Sequence, residues 1–179
     1  VSPQSVLQFW FEEATPKQHF GKDGAFDNTI RERFGALHAA AVRGELAAWR
    51  DTAGGRLAEI IVLDQFSRNL FRDDPRAFAA DGMALVLAQE AIRAGADEGM
   101  PAGRRVFLYM PFMHSESPAI HVQAERLFRQ TGLERNYEFE LKHKAIIDRF
   151  GRFPHRNAVL GRLSTAEEEA FLRQPGSSF

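Results

Sequence analysis

Leu57-Ala58-Glu59-Ile60-Ile61-Val62-Leu63-Asp64-Gln65-Phe66-Ser67-Arg68-Asn69-Leu70-Phe71 is the stretch on which the fold turns. It holds neither Gly nor Pro and is apolar on most of its sides, the mark of a helix at the centre of a helical protein. At 100° per residue, Leu57 and Ile61 run into an arc of Asp64, Gln65, Arg68, Asn69 and Arg72 spanning about 140° of one face. The face therefore changes from apolar to polar within one helix. Asp64 with Arg68, and Gln65 with Asn69, stand at i,i+4 spacing and can pair. A buried ion pair is seldom worth net stability, because desolvation costs several kcal/mol per ion. The arc reads either as an internal network that ties helices together or as the polar floor of a pocket.

Outward from this helix the punctuation stays helical. Ser2-Pro3 opens a first helix that Thr15-Pro16 stops. Phe26, Ile30, Phe34, Leu37 and Ala41 recur on one face of a second, with Gly44 just past its end. A turn around Trp49 and the Gly54-Gly55 pair precede the central helix. Asp74-Pro75 predicts a helix running to Gly95. Arg104 to Tyr109 predicts another, ended by Pro111. Ser117-Pro118 opens the next, which Gly132 closes, and about Arg135 to Phe150 forms one more before Gly151. Ser164-Thr165-Ala166-Glu167 reads as the capping box of a last short helix. The tail Gln174–Phe179 is turn-like, with Phe179 either docked or frayed. No alternating run of β-branched residues competes, so the fold class is all-α, about eight to nine helices in antiparallel pairs, bundled or stacked as a solenoid.

Composition narrows the function. A chain of 179 residues fits a single domain, 1–179. With 23 Lys+Arg against 24 Asp+Glu, it has no field to gather nucleic acid or anionic membrane. No stretch approaches the ~18 apolar residues of a membrane span, and no basic-then-apolar leader is visible, so the expected location is cytoplasmic. The absence of cysteine removes disulfides, thiolate metal sites and thiol nucleophiles together.

Chemistry must then rest on histidine, carboxylates and arginine. His143 shares an arc of roughly 100° with Phe139, Ile146, Ile147 and Phe150, so it points where the core stripe points. A histidine there is either a hydrogen-bonded core residue or a group in a cleft. The loop containing His114-Ser115-Glu116 lies between two helices, and Gly151-Arg152-Phe153-Pro154-His155-Arg156-Asn157 follows the His143 helix directly. Loops braced by a rigid scaffold are where sites usually sit; the alternatives are a capping cluster and a structured connector. A Ser/His/acid triad lacks a Gly-x-Ser-x-Gly elbow. A metal site from His114, Glu116, His143 and His155 lacks the paired-histidine spacings such sites use. Neither a metal nor a redox cofactor is expected.

Several of these segments also occur together in a known family. Phe9-Trp10-Phe11, Leu63 through Asn69, Ala77-Phe78 with Asp81, Tyr109-Met110-Pro111-Phe112 with His114-Ser115-Glu116, and Phe150 through Asn157 with Gly161-Arg162 and Ser164-Thr165 resemble the DUF924 family. The resemblance runs from Val6 to Phe171. It implies a TPR-like helical superhelix and no assigned activity. Many relatives are expected to carry Pro at position 67; Ser67 here relaxes the helix locally.

The expectation is one concave polar pocket. His114, His143, His155, Asp64 and Glu116 are its candidate catalytic groups. Arg68, Asn69, Arg72, Arg152, Arg156 and Asn157 are its candidate ligand contacts. Arginine forks suit a carboxylate or phosphate held bidentately, so the expected partner is a small anionic molecule, turned over by a hydrolase or lyase using histidine acid–base chemistry. The rival is a TPR-like adaptor that clamps a peptide carboxylate. The third reading is an internal network for stability alone.

Overall fold

Most helix starts are written in side chains that cap them. The structure, a computed structural model, describes residues 1–179. α1 covers residues 3–13: Pro3–Gln8 opens on a Ser2/Ser5 capping box and continues as a π-helical turn, Phe9–Glu13. Thr15 and Gln18 form a second box at the start of α2, Pro16–Phe20. Asp23 accepts from the N–H groups of Ala25 and Phe26 to open α3, Gly24–Val42. α4 covers residues 53–70, as Ala53–Ile61, a π-helical turn Val62–Phe66, and Ser67–Leu70. There follow α5, Asp81–Arg93, and α6, Ala102–Met113. α7 is Pro118–Phe128, α8 Glu134–Phe150 and α9 Ala166–Leu172. The fold is all-α, nine helices and no strand, and no helix is long and apolar enough to cross a membrane.

The chain forms two compact units, residues 1–72 with 76–111, and residues 73–75 with 112–179. In the first, α4 is the axis: Leu57, Ala58, Ile60 through Leu63 and Phe66 are all buried, and α1, α3 and α5 pack around it. Phe9 stacks on Phe26 at 5.4 Å, while Trp10 meets Phe66 and Phe107 edge-on at 5.7 and 5.5 Å. Full burial of such rings is worth about 1.5–3 kcal/mol each. The Gly54-Gly55 pair has a packing cause at Gly55, where a Cβ would lie 1.9 Å from the Trp49 carbonyl oxygen. In the second unit α7 and α8 pack against each other. Ile146, Ile147 and Phe153 form a buried cluster, covered by Phe150 and Phe171 at 5.1 Å from each other. Gly151 ends α8 in the left-handed region at φ 70°, as its place in the sequence implies.

Four local expectations are corrected. Pro111 lies inside α6 rather than ending it; so near the helix end it removes one N–H donor and the chain turns only after Met113. Asp74-Pro75 opens only a 3₁₀ turn, Pro75–Ala77, and i→i+3 bonds from Ala79 to Arg76 and from Asp81 to Phe78 delay α5 to Asp81. α7 stops at Phe128, four residues before Gly132, which sits in the turn beyond it at φ 87°. The last capping box is Thr165 with Glu168, one residue on from the Ser164…Glu167 reading.

Candidate functional site

The polar arc of α4 is the first unit's concentration of charge. The π-helical turn over Val62–Phe66 inserts an extra residue into the helical repeat, so positions beyond it leave the 100° wheel. Asp64 and Arg68 still pair, at 3.2 Å. Gln65 and Asn69 do not: Gln65 donates to Asp64 Oδ2 at 2.6 Å, and Asn69 reaches Asp27 Oδ1 at 2.8 Å.

Every arginine of this arc is held by a carboxylate. Arg68 bonds Asp81 bidentately at 2.8 and 3.0 Å and also donates to the Asp64 carbonyl. Burial works against the Arg68 charge, and Asp64 and Asp81 outweigh it, so its pKa is raised. Arg72 holds both oxygens of Asp27 and the Gly21 carbonyl. Ser67 donates its proton to the Leu63 carbonyl at 2.5 Å and must therefore accept from His38 Nε2 at 2.7 Å. With its proton on a backbone oxygen, Ser67 is a helix-internal back-bond and not an activated nucleophile. Burial pushes the His38 pKa down.

The second unit gathers three imidazoles around one ring. Phe153 is fully buried, and His143, His155 and His121 lie 5.7, 5.6 and 6.2 Å from its centroid. His143 Nδ1 donates to the Phe139 carbonyl one turn back on α8 at 2.7 Å, which leaves Nε2 as a lone-pair acceptor. Burial lowers the His143 pKa to about 3 against that bond, and His114, His121 and His155 lower it further. His143 is thus a neutral acceptor at physiological pH and cannot serve as a general acid there.

His121 and Glu140 form a fully buried pair at 2.7 Å. His121 Nε2 meets the Ser115 carbonyl at 2.8 Å, so that nitrogen carries a proton, and Nδ1 and the carboxyl share the other. Burial raises the Glu140 pKa against the pull of His121.

Arg152 is bidentate to Glu168 at 2.7 and 2.8 Å, and with the Thr165 N–H it holds Glu168 down at about 2. Asn157 bridges Ser164, Glu168 and Arg162. Glu116 accepts from Arg162 at 2.7 and 2.9 Å and from the Phe153 N–H at 2.8 Å. Burial would raise its pKa, but these donors and Arg156 prevail and it is lowered. Arg156 donates to the His114 carbonyl at 2.9 Å, and its guanidinium lies 4.8 Å over the Phe153 ring. Three or more potential ligands are nowhere gathered so as to hold a metal ion.

A family model described as a bacterial protein of unknown function (DUF924) matches residues 6–176. The chain belongs to the DUF924 family. A solved structure of a protein of unknown function from Agrobacterium tumefaciens, ATU0120, is 41% identical, with a TM-score of 0.91 over 96% of each chain. Among curated proteins no relative matches significantly. The DUF924 segments that the sequence singles out fall in both units, with Asp64, Arg68, Asn69 and Arg72 in the first, and His114, Glu116, His143, Arg152, His155, Arg156 and Asn157 in the second.

Sequence reasoning missed His121, Glu140 and the partners that engage the arginines. A signal for the pair exists: His121, Ala124 and Phe128 share a helical face, as do Glu140, His143 and Ile147, and all six are buried. A charged residue on each apolar stripe of two adjacent helices is the pattern of a buried pair.

Proposed function

We propose that the second unit binds a small anionic molecule, a carboxylate or a phosphate, at its histidine cluster, and that the protein is a metal-independent hydrolase or lyase in which His114 and His155 move protons. The observation that carries this reading is His143, buried with its Nδ1 fixed by Phe139, where burial first and then His114, His121 and His155 suppress its charge. Imidazoles in mutual electrostatic reach resist protonation, and a bound anion relieves that resistance. Arg156, braced on Phe153 and the His114 carbonyl, is the fixed cation beside them. His143 then lines the site as a neutral ring, while His114 and His155 are the groups assigned the proton transfers. Arg68, Arg72 and Arg152 act as internal ties to Asp81, Asp27 and Glu168.

In this reading the helix pairs stack in a TPR-like manner, which the short connection between the packed helices α7 and α8 supports. The adaptor alternative fits less well, because Asn69 and Asn157, the natural clamp residues, are engaged by Asp27 and by Glu168 with Arg162.

Isothermal titration with acetate and with sulfate, whose charges hold steady between about pH 6 and pH 8, tests the reading. Binding linked to protonation of an imidazole tightens by up to about tenfold per pH unit as pH falls. Arg156→Met should abolish binding while far-UV circular dichroism stays unchanged. Affinity independent of pH, or no binding at either pH, overturns the proposal.

A further inference from the structure

The face of His143 is covered by another ring. Phe179 stacks on it at 3.7 Å with an interplanar angle of 18°, and His155 stands edge-on to the same ring at 6.2 Å and 76°. Phe153 stands edge-on to His143 at 5.7 Å and 84°. The two rings that meet Phe179, and Phe153 beside them, are anchored. His143 is tied to Phe139, and the Phe153 backbone is held by Glu116 and by Arg162 at 3.1 Å. His155 sits in the 3₁₀ turn Pro154–Arg156.

Phe179 has no such anchoring. It lies outside any helix, is half-exposed, and is held by its ring contacts alone, since neither it nor Ser178 makes a hydrogen bond. The nearest tie is at Ser177, whose hydroxyl donates to the Leu172 carbonyl at 3.1 Å. A flat slot with rigid walls is thus filled by a ring on a loosely tied segment. Stacked and edge-on rings attract one another specifically, and the preference belongs to the slot whatever ring occupies it.

We propose that this slot is the ring-binding part of the histidine site, that its ligand is an aromatic or heteroaromatic anion such as an aryl carboxylate or aryl phosphate, and that Phe179 occupies the slot until such a ligand displaces it. The inference rests on the anion reading above and adds the ring. His155, edge-on to the occupant, is the protonatable group next to the ring, where an anionic substituent gains most. Tethering gives Phe179 a high effective concentration, so the side chain masks the slot against weak ligands and selects for those carrying both a ring and a charge.

The test compares the full chain with Phe179→Ala, using benzoate, acetate and the uncharged benzyl alcohol as probes. Removing the competing ring should tighten benzoate about fivefold to tenfold, the scale of one aromatic contact, and leave acetate within about twofold. In the full chain the His143 ring protons should carry the ring-current shift of the Phe179 stack, lose it in Phe179→Ala, and regain one when benzoate is added. Benzoate binding Phe179→Ala no more tightly than acetate overturns the ring subsite while leaving the anion reading standing. Benzyl alcohol binding that variant as tightly as benzoate keeps the subsite and overturns the anion reading.

Discussion

Replacing His143 by glutamine should remove a specific part of the acid sensitivity of the second unit. In the unfolded chain the imidazole titrates near 6.5, and in the fold its pKa falls to about 3 because burial opposes the charge. The folded state thus binds fewer protons than the unfolded one between these two values. Stability is fully present above about pH 6.5 and is lost as pH falls toward about 3, where the loss levels off. At about pH 5 the unfolded imidazole is almost wholly protonated and the folded one almost wholly neutral, a difference of about 2 kcal/mol. Glutamine keeps an amide to donate to the Phe139 carbonyl and cannot titrate in this range. Urea unfolding of both proteins, followed by far-UV circular dichroism at about pH 7.5 and about pH 5, reads the effect. His19 and His38, whose pKa values burial also lowers, are present in both proteins and cancel in the difference. The wild type should lose about 2 kcal/mol more than His143→Gln between the two pH values. Equal losses would show that His143 is not held neutral in the fold and would remove the basis for its acceptor role.

Arg68→Ala should destabilise the first unit by about 2–4 kcal/mol, because it strips the cation from fully buried Asp64 and from Asp81; thermal unfolding checks this, and unchanged stability would argue against an internal tie. Gly55→Ala should cost several kcal/mol, since a Cβ placed 1.9 Å from the Trp49 carbonyl forces the start of α4 to move. Its measure is the same melt, with Trp49 fluorescence reporting the displacement.

The fold was legible because its signals are local. Ser2, Thr15 and Asp23 cap helices where their sequence position says they should, and the apolar spacing of Phe26 through Ala41 maps onto one buried face of α3. The errors arose where a bond across the chain decided the outcome. Nothing local announces the π-helical turn at Val62–Phe66, yet it moves Asn69 from Gln65 to Asp27, forty-two residues away in sequence. The same limit governs the site. Arg68, Arg72 and Arg152 stand out in the sequence as cations in unusual places, but their partners Asp81, Asp27 and Glu168 are set by packing. His143 was readable as a polar residue on an apolar stripe, whereas its stacking under Phe179 depends on where a segment outside the helices comes to rest.

The central claim is that the histidine cluster of the second unit takes up an anion together with a proton. Histidine-selective NMR titration of the isotope-labelled protein, with and without sulfate, tests it most directly. The account predicts that sulfate raises the protonation midpoint of His114 or His155 by about one pH unit, that His143 stays neutral throughout, and that Arg156→Met removes the effect. Midpoints unmoved by sulfate, or moved only at His19 and His38 in the first unit, would contradict it.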